Sequence, residues 1–215
     1  MGDQEVGVSD YDDEELDDLD LDSEDELDDD DDLEDDGTDE DDDDDYEELD
    51  DATDEDVDFV IAAYREDGNP VVVALDLEMA NDLDEMINHL RRLPGEAGAI
   101  GMLSLVEEVF VIVRVRGAIV QVFLSDGAAS DEWPVARDIL DYLGLDEVPT
   151  EGEDEDEVVP VGDSEILRDL GVGDFDLEQL AEDFDTASDE ALLQLADRIG
   201  MGPQVRATVQ EEFED

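Results

Sequence analysis

A formal net charge of −67 dominates this chain of 215 residues, in which 76 acidic residues face only 9 basic ones. Such a charge repels phosphates, so direct binding to nucleic acid or to an anionic membrane is not expected, and basic proteins are the natural electrostatic partners. The chain contains no cysteine, which excludes disulfides, thiolate metal sites, cysteine nucleophiles and iron–sulfur clusters.

The acidic residues are concentrated in the first quarter of the chain. Residues 1–58 hold 37 of the 76 acidic residues and none of the 9 basic ones. Because like charges repel and isolated leucines cannot offset the entropy of ordering, segment 1–56 is predicted to be a disordered acidic tail. Leu16, Leu19 and Leu27 leave open a short helix that a partner would induce. The first residues lack the basic and apolar regions of a secretory signal, so we expect a cytoplasmic protein.

Strand-forming residues begin at Val57. Segments 58–64 and 70–75 are rich in β-branched and aromatic residues and predict two strands. The Asp67-Gly68 pair between them is typical of a hairpin turn.

A helix follows this hairpin. Apolar residues there recur at spacings of three and four, namely Leu83, Met86, Ile87 and Leu90. This spacing places them on one helical face, and Asn81 or Asp82 is the predicted N-cap.

Three more strands are predicted at 99–106, 109–115 and 118–124. Side chains of the middle strand alternate between the two faces of the sheet. Four valines point to one face, and four other residues point to the opposite face: Phe110, Ile112, Arg114 and Arg116. A second helix follows, with Asp131 as the expected N-cap, Pro134 in its first turn and Gly144 at its end.

The element order β-β-α-β-β-β-α predicts an α+β fold over residues 57–145. We expect a mostly antiparallel five-stranded sheet with both helices on one face, and the link across the first helix is long enough for a crossover. Residues 146–162 are predicted to be a second acidic linker.

Helical periodicity returns in a C-terminal segment, residues 163–202. A short helix is predicted from Ser164 to Leu170, ending at Gly171. Two apolar stripes follow, one made of Leu177, Leu180, Ala181 and Phe184, and one made of Leu192, Leu195, Ala196 and Ile199. Ser188 is the expected N-cap of the helix that carries the second stripe, and Gly200 is its expected end. Such short helices must pack on each other, on the sheet or on a partner. Residues 203–215 are predicted to fray.

Several strings of residues along the chain recur together in one bacterial family. They are Gly98-Ala99-Ile100-Gly101-Met102, Phe110-Val111-Ile112-Val113-Arg114-Val115-Arg116-Gly117, Phe123-Leu124-Ser125-Asp126, Trp133-Pro134, Ala136-Arg137-Asp138, Leu143-Gly144-Leu145, Gly162-Asp163, Ile166-Leu167, Asp169-Leu170-Gly171, Leu195-Ala196, Arg198 and Gly200-Met201. In these strings the sequence resembles the tRNA adenosine deaminase-associated protein family over about residues 57–202. The resemblance implies an accessory protein associated with the enzyme that converts adenosine to inosine in the tRNA anticodon. It implies no catalytic residues.

The chain is not expected to be the deaminase itself. Zinc-dependent base deaminases use a His-x-Glu and a Pro-Cys-x-x-Cys motif, whereas this chain has no cysteine and its one histidine, His89, is followed by Leu90 and Arg91. An EF-hand-like spacing of acids over residues 32–43 ends in Asp43 where a bidentate Glu is required. We therefore expect no enzyme activity, no cofactor and no metal site.

Five residues are candidate partner contacts, and each has a structural alternative. Arg114 and Arg116 form either a contact patch or intramolecular pairs with carboxylates. Ser125 and Asp126 form either a functional pair or a simple turn, and Trp133 is either a partner anchor or a cover for the sheet edge.

These observations favour a non-catalytic accessory protein whose partner is the tRNA deaminase or another basic-surfaced protein. The alternative is a deaminase-independent acidic regulatory or ligand-sensing protein.

Overall fold

The computed structural model describes residues 49–95, 97–145, 148 and 158–213. Most of the predicted tail, the acids at 32–43 and most of the predicted second linker lie outside these residues. The last residues of the predicted tail, however, belong to the fold. Ala52 is buried, and its backbone N–H and C=O both bond to the side-chain amide of Asn81, at 2.7 and 2.9 Å. The tail boundary predicted at residue 56 is therefore wrong, because the chain is anchored before that point.

Six strands in the described part of the chain form one antiparallel sheet in the order β2-β1-β3-β4-β5-β6. Their bounds are β1 Val57–Glu66, β2 Asn69–Ala74, β3 Ala99–Leu105, β4 Val109–Arg116, β5 Ile119–Leu124 and β6 Val161–Gly162. The α+β class is confirmed, and the predicted count of five strands is corrected to six.

The first two strands form the predicted hairpin. Asp67 and Gly68 have φ values of 50° and 79°, as a two-residue type I′ turn requires. The chain then passes through a 3₁₀ turn, Leu77–Ala80, and helix α1, Leu83–Leu90, before it enters β3. Because β1 lies between β2 and β3 and is antiparallel to both, this link is the predicted crossover.

The predicted N-cap of the first helix is confirmed, and that of the second helix is wrong. Asp82 caps α1, since its side chain accepts a hydrogen bond from the Glu85 N–H at 2.8 Å. Helix α2, Pro134–Leu143, has Trp133 as its N-cap rather than Asp131. Asp131 instead ends a 3₁₀ turn, Gly127–Asp131, and Trp133 is extended, the conformation favoured before a proline.

The sixth strand, β6, lies within residues 146–162, which are predicted to be a linker. Val161 pairs with Leu124, and Gly162 pairs with Phe123. The strand is only two residues long, so the sequence offers too few residues for an alternating pattern. It pairs with the last two residues of β5, Phe123 and Leu124.

Residues 163–213, which comprise the predicted C-terminal segment and most of the residues predicted to fray, contain one 3₁₀ turn and three α-helices. Their bounds are Arg168–Leu170 for the 3₁₀ turn, α3 Asp174–Ala181, α4 Ser188–Arg198 and α5 Gly202–Glu212.

These helices correct four expectations. The predicted helix over 164–170 is a turn that ends in the 3₁₀ residues. Phe184 lies beyond the end of α3 and outside its buried stripe. The N-cap of α4 is Ala187, and Ser188 is the first helical residue. The expected fraying after Pro203 is replaced by α5, because this proline stands in the first turn of a helix, where its missing N–H costs no hydrogen bond.

The sheet has a hydrophobic core on each face. One core packs β-sheet residues against α1 and α2, which confirms that these two helices share a face. The other packs the opposite face against α3, α4 and α5. In β4 the four valines belong to the first core, whereas Phe110 and Ile112 belong to the second. The C-terminal helices therefore pack on the sheet, which settles where their apolar stripes are buried.

Within the described residues, no helix is both long enough and apolar enough to cross a membrane.

Candidate functional site

A groove of about 660 Å³ lies at one end of the sheet. Three segments and Val158 line it, and the segments are residues 106–110 at the β3–β4 turn, residues 125–132 after β5, and residues 180–191 around the α3–α4 connection. We call it the acidic groove. Because its walls come from three distant parts of the sequence, it exists only in the folded protein.

The floor of the acidic groove is apolar. Phe110, Ala129, Leu180 and Ala191 are buried there. Phe184 is different, since it lines the groove yet is 79% exposed. An exposed aromatic side chain beside an apolar floor is typical of a contact surface for another molecule.

Carboxylates surround this floor. Six of the lining residues are acidic and none is basic, and the acidic ones are Glu107, Glu108, Asp126, Glu132, Asp183 and Asp185. Negative groups gathered around a concave surface focus a negative potential into it. The acidic groove is therefore suited to a cationic ligand and repels an anionic one.

The β3–β4 turn on one wall has an unusual backbone. Val106 and Glu107 have φ values of 48° and 58°, in the left-handed region that β-branched residues in particular avoid. Two consecutive residues of this kind cost of the order of 1–3 kcal/mol each. Such strain persists only where the surrounding structure holds the backbone in place.

A network of hydrogen bonds supplies that restraint. The Asp58 carboxylate accepts hydrogen bonds from the Glu107 N–H and from the Ser104 hydroxyl, both at 2.8 Å. The hydroxyl groups of Ser104 and Ser188 lie 2.6 Å apart, and the Ser188 N–H donates to the Glu107 C=O at 2.9 Å. The network joins the turn to α4, so the two walls are fixed relative to each other.

Two of the predicted contact residues, Ser125 and Asp126, line the acidic groove. The Ser125 hydroxyl accepts a hydrogen bond from the Phe110 N–H at 2.9 Å, and Ser125 is buried. Asp126 accepts from the Ala128 N–H at 3.0 Å, as in an Asx turn. Both side chains therefore build the wall, as the turn interpretation expects, and Asp126 also adds to its negative charge.

Trp133 lies next to the acidic groove rather than in it. It lines a shallow depression with Leu49, Asp51 and Glu132, and Glu132 also lines the acidic groove. The indole is half-buried and packs on the core that contains α1 and α2. Its N–H has no hydrogen-bond acceptor among the residues that the structure describes.

The two predicted arginine contacts lie farther along β4 than the groove residue Phe110. At about 3.3 Å per residue, Arg114 is about 13 Å and Arg116 about 20 Å from Phe110 along the strand. Arg114 is only 1% exposed. It forms a bidentate pair with Asp169 and donates to the backbone C=O groups of Ile166 at 2.7 Å and Ala97 at 3.3 Å. Hydrogen bonding to Arg114 holds the pKa of Asp169 below its usual value.

These bonds make Arg114 a link between β4 and the C-terminal segment. Both of its terminal nitrogens bond within the chain, whereas the buried Nε has no acceptor among the residues that the structure describes. Arg114 is therefore paired inside the fold, in contrast to an exposed contact patch. Arg116 is half-exposed, donates to the Gln121 side chain at 2.9 Å and lies 3.7 Å from the Asp169 carboxylate.

One carboxyl group with a raised pKa lies outside the acidic groove. Burial is the largest cause of the raised pKa of Asp138, and the negative charges of Asp82, Asp141 and Asp84 add to it. Asp138 accepts a hydrogen bond from the Leu83 N–H at 3.1 Å and so ties α2 to the start of α1. This arrangement gives the group a structural role.

The sequence did not reveal the acidic groove. Phe184 follows Leu177 by seven residues, a spacing that predicts a shared helical stripe, but α3 ends at Ala181. Val106 ends an apolar run, and nothing in the sequence signals its left-handed backbone.

Comparison with known proteins places the chain in a family. A family model described as Rv3753c-like tRNA adenosine deaminase-associated protein matches residues 58–202. The matched span covers the sheet except Val57, α1 to α4 and the lining of the acidic groove.

One relative is "Protein Rv3753c" from Mycobacterium tuberculosis (strain ATCC 25618 / H37Rv). It is 28% identical over 151 residues, which cover 70% of this chain and 87% of the relative. No solved structure matches the chain significantly.

Proposed function

This chain belongs to the Rv3753c-like tRNA adenosine deaminase-associated protein family, and from that premise we propose that it is a cytoplasmic, non-catalytic accessory protein that binds the tRNA adenosine deaminase. The family description names an association with the enzyme rather than the enzyme itself. The observation that carries the proposal is the match over residues 58–202, since it spans nearly the whole folded part of the chain. The acidic tail lies outside the match and is assigned a separate, regulatory role.

Charge supports a protein partner with a basic surface. An enzyme that binds tRNA presents cationic groups to the phosphates. Residues 1–58 carry 37 acidic residues and no basic ones, so this segment can occupy the same cationic surface. It would then compete with tRNA and lower the apparent affinity of the enzyme for its substrate.

The contents of the acidic groove support a non-catalytic role. His89 lies on α1 and is not among the groove residues. The Ser125 hydroxyl already bonds to the backbone of Phe110, and no histidine lines the groove to activate it as a nucleophile. What the groove does offer is an apolar floor and a negative rim, which suit binding.

Steady-state deamination kinetics test the proposal. The purified deaminase would be assayed with tRNA alone, with the full chain, and with a fragment of residues 46–215, which contains every element described. A competing polyanion raises the KM for tRNA and leaves kcat unchanged. We expect that result with the full chain and a smaller increase with the fragment. Unchanged kinetics with both proteins, together with no co-elution of either with the enzyme, would refute the proposal.

A further inference from the structure

The acidic groove has the properties of a preformed docking site. Two exposed apolar side chains, Phe184 and Val106, line the groove beside its buried apolar floor. Single exposed apolar residues are ordinary on protein surfaces. Here, however, the two residues line the same concave surface from two separate segments, residues 106–110 and 180–191, so both are available to one bound segment.

The charge of the groove selects the occupant. Its rim carries six carboxylates and no basic residue. The chain's own N-terminal segment is a polyanion, and a second copy of the chain has the same net charge of −67. Both are repelled by the rim, as nucleic acid is. A cationic segment of another protein is the occupant that satisfies both the rim and the floor.

The rigidity of the groove favours binding. The left-handed backbone at Val106 and Glu107 is fixed by Asp58, and the hydroxyl pair of Ser104 and Ser188 joins this wall to α4. A site that is already formed does not lose conformational entropy when the ligand arrives. Strained backbone held in this way is common at ligand-binding positions.

We propose that the acidic groove docks a cationic, amphipathic segment of a partner protein, whose apolar side chain packs between Phe184 and the floor while its Lys or Arg residues face the rim. This inference deepens the proposed function, because it rests on a basic protein partner and names the element that is recognised. It holds for any partner that presents such a segment, so it can be tested without the deaminase.

The probe is a fluorescein-labelled synthetic peptide in which Leu residues recur at spacings of three and four to form one helical face, and Arg residues form the other face. Its binding to the full-length chain would be measured by fluorescence anisotropy at about 0.15 M salt, where the Debye length is about 8 Å and distant charges are screened. Two control peptides replace Leu by Ser or Arg by Glu. The proposal expects the Arg and Leu peptide to bind more tightly than both controls.

Matched substitutions separate the groove from the general acidity of the chain. Phe184→Asp lies in the groove, and Phe175→Asp is its control, since Phe175 is 72% exposed and does not line the groove. Glu108→Arg and Glu178→Arg form an equivalent pair for charge reversal, with only Glu108 in the groove. We expect at least tenfold weaker binding for each groove variant, which is about 1.4 kcal/mol, and less than a twofold change for each control.

Amide resonances give a second readout. In a ¹H–¹⁵N spectrum the peptide is expected to shift the amides of Phe184, Ser188 and Ala128, and Phe184→Asp is expected to suppress those shifts. Equal effects of the groove and control substitutions would overturn the proposal, because the peptide would then bind the acidic surface at large. An effect of Glu108→Arg without any effect of Phe184→Asp would also overturn it, because it would indicate a purely ionic site. A failure of either kind leaves the kinetic test with the deaminase unaffected.

Discussion

Arg114 and Asp169 are predicted to couple the C-terminal segment to the sheet. The Arg114 guanidinium is buried under that segment and makes hydrogen bonds to Asp169, Ile166 and Ala97. Asp169→Ala removes the carboxylate and leaves the buried cation with two backbone acceptors. Arg114→Met removes the cation and retains most of the side-chain volume.

The structure sets the expected magnitude. Removing one partner of a fully buried ion pair costs about 3–5 kcal/mol. The Asp169 side chain is 52% exposed, so water can reach the guanidinium after the substitution and the cost should be lower. Hydrogen bonds to charged groups contribute about 1.5–3 kcal/mol, and we expect Asp169→Ala to lower the free energy of unfolding by about 2–3 kcal/mol on this basis. In the Arg114→Met background the same change should cost less than about 0.5 kcal/mol, since the interaction is already absent.

Urea unfolding followed by circular dichroism, applied to the wild type, both single variants and the double variant, measures this coupling. Asp197→Ala is a suitable control, because Asp197 pairs with Arg206 at an exposed position, where ion pairs contribute little. Additive effects of the two substitutions, or an Asp169→Ala effect no larger than that of the control, would refute the coupling.

Three further predictions follow from the same structure. The pKa of Asp169 is lowered in the folded state by its hydrogen bonds to Arg114. The stability that the ionised Asp169 carboxylate contributes is therefore present above the unfolded-state pKa of about 3.9 and is lost as the pH falls through the folded-state pKa. In urea titrations, the stability difference between wild type and Asp169→Asn should shrink between pH 5 and pH 3. Val106→Asn with Glu107→Gly gives the β3–β4 turn residues that tolerate positive φ, and should raise the free energy of unfolding by about 1–2 kcal/mol; a loss of stability would show that the turn is not strained. Gly162→Ala should strongly lower the stability measured by thermal unfolding, because the φ of Gly162 is 105° and an added Cβ would lie 2.3 Å from the Val122 carbonyl oxygen. In the control Gly117→Ala the added Cβ meets open space, so the free energy of unfolding should fall by only about 1–2 kcal/mol.

The sequence predicted the elements that carry a long periodic signal. Helix α1 follows from four apolar residues on one face, and the alternation in β4 follows from residues that pack on two different cores. The Asp67-Gly68 turn was predictable because its backbone conformation demands those residue types.

Elements whose cause lies in tertiary contacts were not predictable. Strand β6 is formed by pairing with β5 and has only two residues. Helix α5 has in its first turn a proline that, in the sequence, is equally typical of a helix end. The burial of Val205 shows that the helix packs on the fold. The N-cap role expected of Ser188 fails because its hydroxyl lies 2.6 Å from Ser104, 84 positions earlier in the chain.

The candidate site shows the same division. The preference for basic partners and the five candidate contacts stay predictions. Ser125 and Asp126 line the acidic groove and Trp133 lies beside it, whereas Arg114 and Arg116 do not line it. Phe184 and the strained turn could not be assigned to it, because the groove joins three segments that are far apart in sequence.

Sedimentation velocity on mixtures of the full-length chain and the tRNA adenosine deaminase tests the central claim most directly. If the chain is an accessory protein of that enzyme, a faster-sedimenting complex should form and saturate as the chain is added. It should weaken as salt is raised from about 0.1 to about 1 M, where the Debye length falls from about 10 to about 3 Å. Independent sedimentation of the two proteins at micromolar concentrations and low salt would contradict the account.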